Sequence, residues 1–152
     1  MASMFQEVGG TFATLYKGFS VTLRTMFRKT TTERYPEVPP SLQPRYRGLH
    51  VLQRDENGLE KCVACFLCSA ACPANCIYIE AVENTEAQRI SAGERYAKTY
   101  NIDYSRCIFC GYCVEACPTD AITHGHNLNL ATYDINGLIC RKDQLLETMQ
   151  IT

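Results

Sequence analysis

The chain has 152 residues, enough for one domain with an extension, and 46% of them are hydrophobic against 20% charged. A formal net charge of -1 gives no basic field for a polyanion, which excludes nucleic acid as a natural partner. Ten cysteines are the unusual count, and in a secreted chain they would be read as a disulfide framework. The N-terminal stretch MASMFQEVGGTFATLYKGF, however, lacks the basic region, apolar run and small-residue cleavage site of a signal peptide. A reducing compartment is expected, where cysteines stay free for metal. Lys17 and Arg24 interrupt the apolar N-terminal region well before the ~20 residues needed to span a bilayer, so no membrane-spanning helix is expected.

In chain order, residues 5–28 carry helical periodicity. Phe5, Val8, Phe12, Leu15, Tyr16, Phe19, Leu23, Met26 and Phe27 share one face, with Gln6, Thr14, Lys17, Arg24, Thr25 and Arg28 largely opposite. Gly9, Gly10 and Gly18 weaken this helix in isolation, so it needs a surface to lie on. That surface is either an interface with a membrane or partner or the core of its own domain. TTTERYPEVPPSLQPRYRG follows as an extended linker, because Pro36, Pro39, Pro40 and Pro44 forbid regular structure. Its arginines and tyrosines leave open whether it is solvated or clamps onto something. GLHVLQRDENGLEKC reads as a hairpin with Asn57-Gly58 at its turn.

The next stretch is CVACFLCSAACP, with cysteines at Cys62, Cys65, Cys68 and Cys72 and a proline at Pro73. IYIEAVE and AKTYNIDYSRC read as strands, and the charged segment NTEAQRISAGERY between them as an exposed loop. A second run, CIFCGYCVEACP, then places Cys107, Cys110, Cys113, Cys117 and Pro118 at the same spacing. AITHGHNLNLATYD continues as strand or coil, and RKDQLLETMQ is a candidate short helix.

The segment 62–79 aligns without gaps on 107–124, which predicts a pseudo-twofold unit with one site per half. A C-x2-C step lets one tight loop aim two thiolates at a centre, and two consecutive steps aim three. A zinc site would instead use two separated pairs or mix in histidine. After the third cysteine, SAAC and VEAC are helix-compatible, so one turn carries the fourth sulfur away before the proline ends the local geometry. Val63, Phe66, Leu67, Ile108, Phe109 and Tyr112 are expected to exclude water from the sites. Gly111 offers the backbone a close approach. Cys76 stands opposite Ala121 in the alignment and reads as a small buried group, and Cys140 as an inert thiol. His50, His124 and His126 are scattered, and HGH reads as a strand end rather than a metal site. No nucleophile and base pair, and no phosphate-binding glycine loop, stands out, so no catalytic residue is named.

The two runs resemble those of bacterial-type ferredoxins with two [4Fe–4S] clusters, in which the fourth cysteine ligates the other cluster. That resemblance implies an α+β ferredoxin-like fold. It also implies Cys62, Cys65, Cys68 and Cys117 as ligands of one cluster, and Cys107, Cys110, Cys113 and Cys72 of the other. With the flanks ERYP and RYRGLHVL, the charged insert and ATY before the last helix, nearly the whole chain is similar to a narrower family. This is the eight-iron subunit of NADH:quinone oxidoreductase, respiratory complex I. The resemblance implies residues 1–30 as an amphipathic helix on the membrane surface, 31–48 as a linker, 49–130 as the two-cluster domain and 131–152 as a tail.

It further implies an electron relay toward a terminal cluster and quinone, in a translocase whose catalytic sites lie elsewhere. The partners would be subunits of the peripheral arm, including the holder of the terminal cluster, and of the membrane arm. The place would be the cytoplasmic side of a bacterial inner membrane. Cys76, where the family leads one to expect alanine, and the short C-terminal tail are departures. A free ferredoxin is the main rival, but a shuttle benefits from a strong steering field that this chain lacks. The corresponding subunit of a membrane-bound hydrogenase or a ferredoxin-driven quinone reductase stays open.

Overall fold

The computed structural model describes residues 2–85 and 89–147, with side chains described for 7–85 and 89–146. The chain divides into two compact units, Met1–Ser41 and Leu42–Thr152.

The first unit is dominated by α1 (Ala2–Met26), and its last turn carries Arg24, which suits the negative end of the helix dipole. Phe12, Tyr16, Phe19, Met26 and Phe27 are all exposed. Phe5 lies outside the described side chains. The helix's threonines hide their hydroxyls: Thr11 donates to the Glu7 carbonyl, Thr14 to Thr11, Thr22 to Phe19 and Thr25 to Val21. Among the described residues, no helix is long and apolar enough to cross a membrane.

The second unit is mixed α and β, with two antiparallel ladders. In one, β1 (His50–Leu52) pairs with β4 (Ile122–His124). In the other, β2 (Ile77–Glu83) pairs with β3 (Arg95–Asp103), and β5 (Ile139–Cys140) joins the far edge of β3. Each ladder therefore joins the strand after one cysteine run to the strand before the other. The alternation in β2 buries Ile77 and Ile79 and turns Tyr78 and Glu80 outward. β3 contributes Ala97, Tyr100 and Ile102 to the same core.

The helices after the runs are single turns, α2 (Leu67–Ala70) and α3 (Tyr112–Glu115). A 3-10 turn, Ile135–Leu138, precedes β5, and α4 (Lys142–Glu147) closes the described chain. Residues 148–150 of the expected C-terminal helix lie outside the described residues. Leu145 of α4 is fully buried, and the helix packs on β1.

The expected turn at Asn57-Gly58 is present. The Gly58 N–H donates to the Asp55 carbonyl, and Gly58 has a φ of 77°, which suits glycine. The paired strand is different from the one expected, however. β1 takes its ladder from β4, while the returning arm keeps only the bridge Arg54–Glu60 before turning away to deliver Cys62. The insert also needs correction, because it is not simply exposed. Ser91 is wholly buried, and the Asn84 amide donates to the Ser91 and Gly93 carbonyls while its oxygen accepts from the Ile90 N–H. A polar segment can be buried here because its hydrogen bonds are closed internally.

Candidate metal centre

Two residues in each run and one just after it adopt the left-handed region, and they match through the repeat. Ala64, Phe66 and Asn75 have φ of 49°, 65° and 48°; Phe109, Gly111 and Asp120 have 53°, 86° and 48°. Five of the six carry a side chain, and each of those conformations costs about 1 kcal/mol or more. The twists turn backbone N–H groups toward sulfur. The Phe109 N–H lies 3.5 Å from Cys107 Sγ, and the Ala121 N–H lies 3.3 Å from Cys117 Sγ. Strain repeated in both halves is the mark of a loop shaped for a guest.

Two cavities result, each enclosing about 330 Å³ of space not filled by atoms, its open mouth included. Cys62, Cys65 and Cys68 line the first together with Cys117, and Leu52, Ala64, Ile79 and Ile122 form much of the remaining wall. Cys107, Cys110 and Cys113 line the second together with Cys72, beside His50, Ile77 and Ile102. These are the groupings that the ferredoxin resemblance implies. Among the described residues, no three His, Cys, Asp or Glu side chains close on one point as a lone ion requires. An iron–sulfur cubane is wider than one ion, and four thiols rimming a void suit it better.

Burial sets the thiol chemistry. It pushes Cys62 up to about 11, against a hydrogen bond from the Ala64 backbone, and Cys113 up to about 12, helped by Cys107. Cys68 and Cys107 are raised for the same first reason. Burial also opposes ionisation of Cys72 and Cys117, but there hydrogen bonds win and both thiols fall below the ordinary value. Cys72 is served by Cys76, Ala74 and Asn75, and Cys117 by Thr119, Ala121 and Ile122. Cys72 and Cys117, each of which lines the other half's cavity, are thus held below the ordinary thiol value by backbone and side-chain hydrogen bonds together.

Cys76 is buried, and its Sγ lies 3.3 Å from Cys72 Sγ on the wall of the second cavity. It follows the first run in sequence, yet it lines the cavity of the second. Cys140 is half-buried in β5.

The rim residues depart from expectation. Val63 and Phe109 are half-buried, but Phe66, Leu67, Ile108 and Tyr112 are exposed, Ile108 by 66%. Phe66 and Ile108 still line the mouths of the first and second cavities, whereas Leu67 and Tyr112, at the starts of the one-turn α2 and α3, line neither. The histidines are not scattered either. The His50 and His124 rings meet at a tilt of 44° with centroids 4.5 Å apart, while His126 is exposed. His50 Nε2 lies 3.4 Å from Cys113 Sγ, and burial, then the neighbouring His124, holds its pKa down to about 4. His124 Nδ1 donates to the Gly48 carbonyl, and its buried Nε2 has no hydrogen-bond partner. Sequence reading missed this cluster because it is formed by the β1–β4 register, which no local pattern encodes. HGH does mark a strand end, since β4 stops at His124.

The profile of the 4Fe-4S dicluster domain matches residues 61–121. The chain is 62% identical over 146 residues to NADH-quinone oxidoreductase subunit I 1 of Solibacter usitatus, covering 96% of this chain and 87% of that one. The chain belongs to the family of NADH-quinone oxidoreductase subunit I. A second member, subunit I 2 of Koribacter versatilis, is 68% identical over 135 residues, covering 86% of this chain and 77% of that one. The NADH-quinone oxidoreductase subunit 9 of Thermus thermophilus is 49% identical, covering 90% and 75%. The subunit I family is thereby matched along nearly the whole chain, both cysteine runs included.

Proposed function

We propose that this chain is the iron–sulfur electron-transfer subunit of an NADH-quinone oxidoreductase, holding two [4Fe–4S] clusters in the two cavities. The observation that carries this reading is the lining of each cavity by three cysteines of one run and the fourth cysteine of the other. Cys62, Cys65, Cys68 and Cys117 would hold one cluster; Cys107, Cys110, Cys113 and Cys72 would hold the other. Each bound cluster supplies a one-electron couple and no acid–base chemistry. The protein's part is to bind, orient and insulate. The positive-φ loops present thiols and N–H groups together. Leu52, Ile79, Ile102 and Ile122 keep water from the inner walls. Cys72 and Cys117 each fasten one half to the other's site, so cluster loading and folding of the second unit are linked.

The subunit itself carries no NADH, flavin or quinone chemistry in this reading; it relays electrons toward a terminal cluster in a neighbouring subunit. The exposed rim of Phe66, Leu67, Ile108 and Tyr112 is suited to closure by such neighbours. α1 would lie along the cytoplasmic face of the membrane against membrane-arm subunits. Its exposed aromatic stripe, its tucked hydroxyls and the basic residues Lys17, Arg24 and Arg28 support that role.

The test is composition and spectroscopy of the full chain prepared without oxygen. About eight irons and matching labile sulfide per chain, with two reducible centres, are expected from two four-iron sites. Zinc in place of iron, or no reducible centre, would end the relay reading. Deleting residues 1–30 is expected to leave both centres loaded and to weaken recovery of the chain with membrane complexes. Loss of iron from the truncated chain would refute that division of labour.

A further inference from the structure

The two ladders place one polar side chain against each third cysteine. Tyr100 Oη lies 3.3 Å from Cys68 Sγ, and His50 Nε2 lies 3.4 Å from Cys113 Sγ. These two donors are equivalent by register. Tyr100 is paired with Ile79, and His50 with His124. Ile79 and His124 are the same position of the repeat, at the ends of the aligned segments 62–79 and 107–124. Both donors are buried, and each lines the cavity of the cysteine that it faces. The halves thus share a geometry and differ in the group that fills it.

The direction of each bond follows from what surrounds the donor. A thiolate can only accept, so the Tyr100 hydroxyl must donate to Cys68. For His50 the same rule applies: a Cys113 thiolate can only accept, so Nε2 must carry the ring proton to bond it, and Tyr104 suits that tautomer. The His50 backbone N–H donates to Tyr104 Oη at 3.0 Å, so that oxygen already accepts. With Nδ1 left unprotonated, the Tyr104 hydroxyl is the donor to it across 3.3 Å. Nε2 then points its proton at Cys113 Sγ. Stacking against Tyr104 and Phe109, at centroid distances of 5.8 Å and 5.9 Å, holds the ring in that plane.

We propose that Tyr100 and His50 are paired positioning residues that donate hydrogen bonds to the Cys68 and Cys113 thiolates and thereby set the reduction potentials of the two clusters independently. The inference rests on the cluster reading above. A donor to a ligand thiolate stabilises the more negative, reduced state and raises the potential. Because one donor is a phenol O–H and the other an imidazole N–H, two sites with matching cysteines are held at different potentials. Each donor makes its thiolate hydrogen bond at one site.

The experiment uses the full chain carrying its clusters, in the wild type and in Tyr100→Phe, His50→Phe and His50→Gln. Iron and labile sulfide are counted first; each cluster is then titrated by potential-controlled EPR. The signals are assigned with Cys65→Ser and Cys110→Ser, each of which disturbs one site. Tyr100→Phe, which removes one oxygen and keeps the ring, is expected to lower only the potential of the Cys68 site. His50→Phe is expected to lower only the Cys113 site, and His50→Gln, whose amide N–H stands in for Nε2–H, to recover it in part. Each loss is expected to weaken electron affinity about tenfold, or ~59 mV for one electron. Loaded variants with unchanged potentials, or with both sites shifting together, would overturn the inference and leave the cluster reading standing. A wild-type chain without labile sulfide would overturn both. Should His50→Phe fail to load, Tyr100→Phe and His50→Gln still decide the matter.

Discussion

The two halves of the second unit share a backbone and differ in what surrounds it. Positive φ recurs at Ala64 and Phe109, at Phe66 and Gly111, and at Asn75 and Asp120. One half uses phenylalanine where the other uses glycine, so the twist belongs to the loop and not to the residue. The neighbours explain the choice of glycine. A Cβ on Gly111 would meet Arg47 Nε at 3.2 Å and His124 Nε2 at 3.4 Å. Phe66, in contrast, is exposed and has room for its ring. The supports differ as well. The first run is approached through Glu60, whose carboxylate pairs with Lys142 of α4 at 2.8 Å, and Lys142 also donates to the Ala97 carbonyl at 2.7 Å. The second run is approached through Ser105, an exposed residue bonded to Asp103. A repeat keeps the geometry that its guest requires and leaves everything else free to diverge.

The largest effect should come from breaking the crossover. Cys117→Ser is expected to abolish or convert the cluster in the cavity of the first run, although Cys117 sits in the second. Cluster-resolved EPR showing damage confined to the Cys107 site would contradict the proposed ligand sets. Next in size, Lys142→Met strips the partner from a buried carboxylate and is expected to cost about 3 kcal/mol. The urea midpoint of the loaded chain should fall, with the iron count unchanged at low denaturant. An unaltered midpoint would show that α4 does not support the first half. The smallest effect should distinguish the paired loops. Gly111→Ala puts a side chain at positive φ in a crowded spot and is expected to cost about 1–2 kcal/mol. Phe66→Gly, its counterpart, should be tolerated to within about 0.5 kcal/mol. Equal costs in the two halves would mean that the neighbours of Gly111 do not matter.

Much of this was legible before any coordinates. The two runs, their gapless repeat, the flanking strands, the glycine turn at Gly58 and the long N-terminal helix all follow from spacing and periodicity, which act over a few residues. The grouping of the cysteines came from resemblance, and no local rule would have supplied it. The burial of Ser91 was hidden because its partners, Asn84 and the Arg95 carbonyl, satisfy a polar group that composition alone assigns to solvent. The rim was legible in part: Val63, Phe66 and Ile108 line the cavities, while Leu67 and Tyr112 are exposed and line neither.

Spacing alone thus determined the loops: three thiols close in sequence can reach one centre only along a few backbone paths, and the residues present permit those paths. The tertiary structure decided which distant groups serve each loop. His50 reaches Cys113 across 63 positions and Tyr100 reaches Cys68 across 32, because strand register selects the side chain that faces each sulfur. Register is fixed by the burial of whole faces, a property of the packed molecule that no single stretch of chain contains.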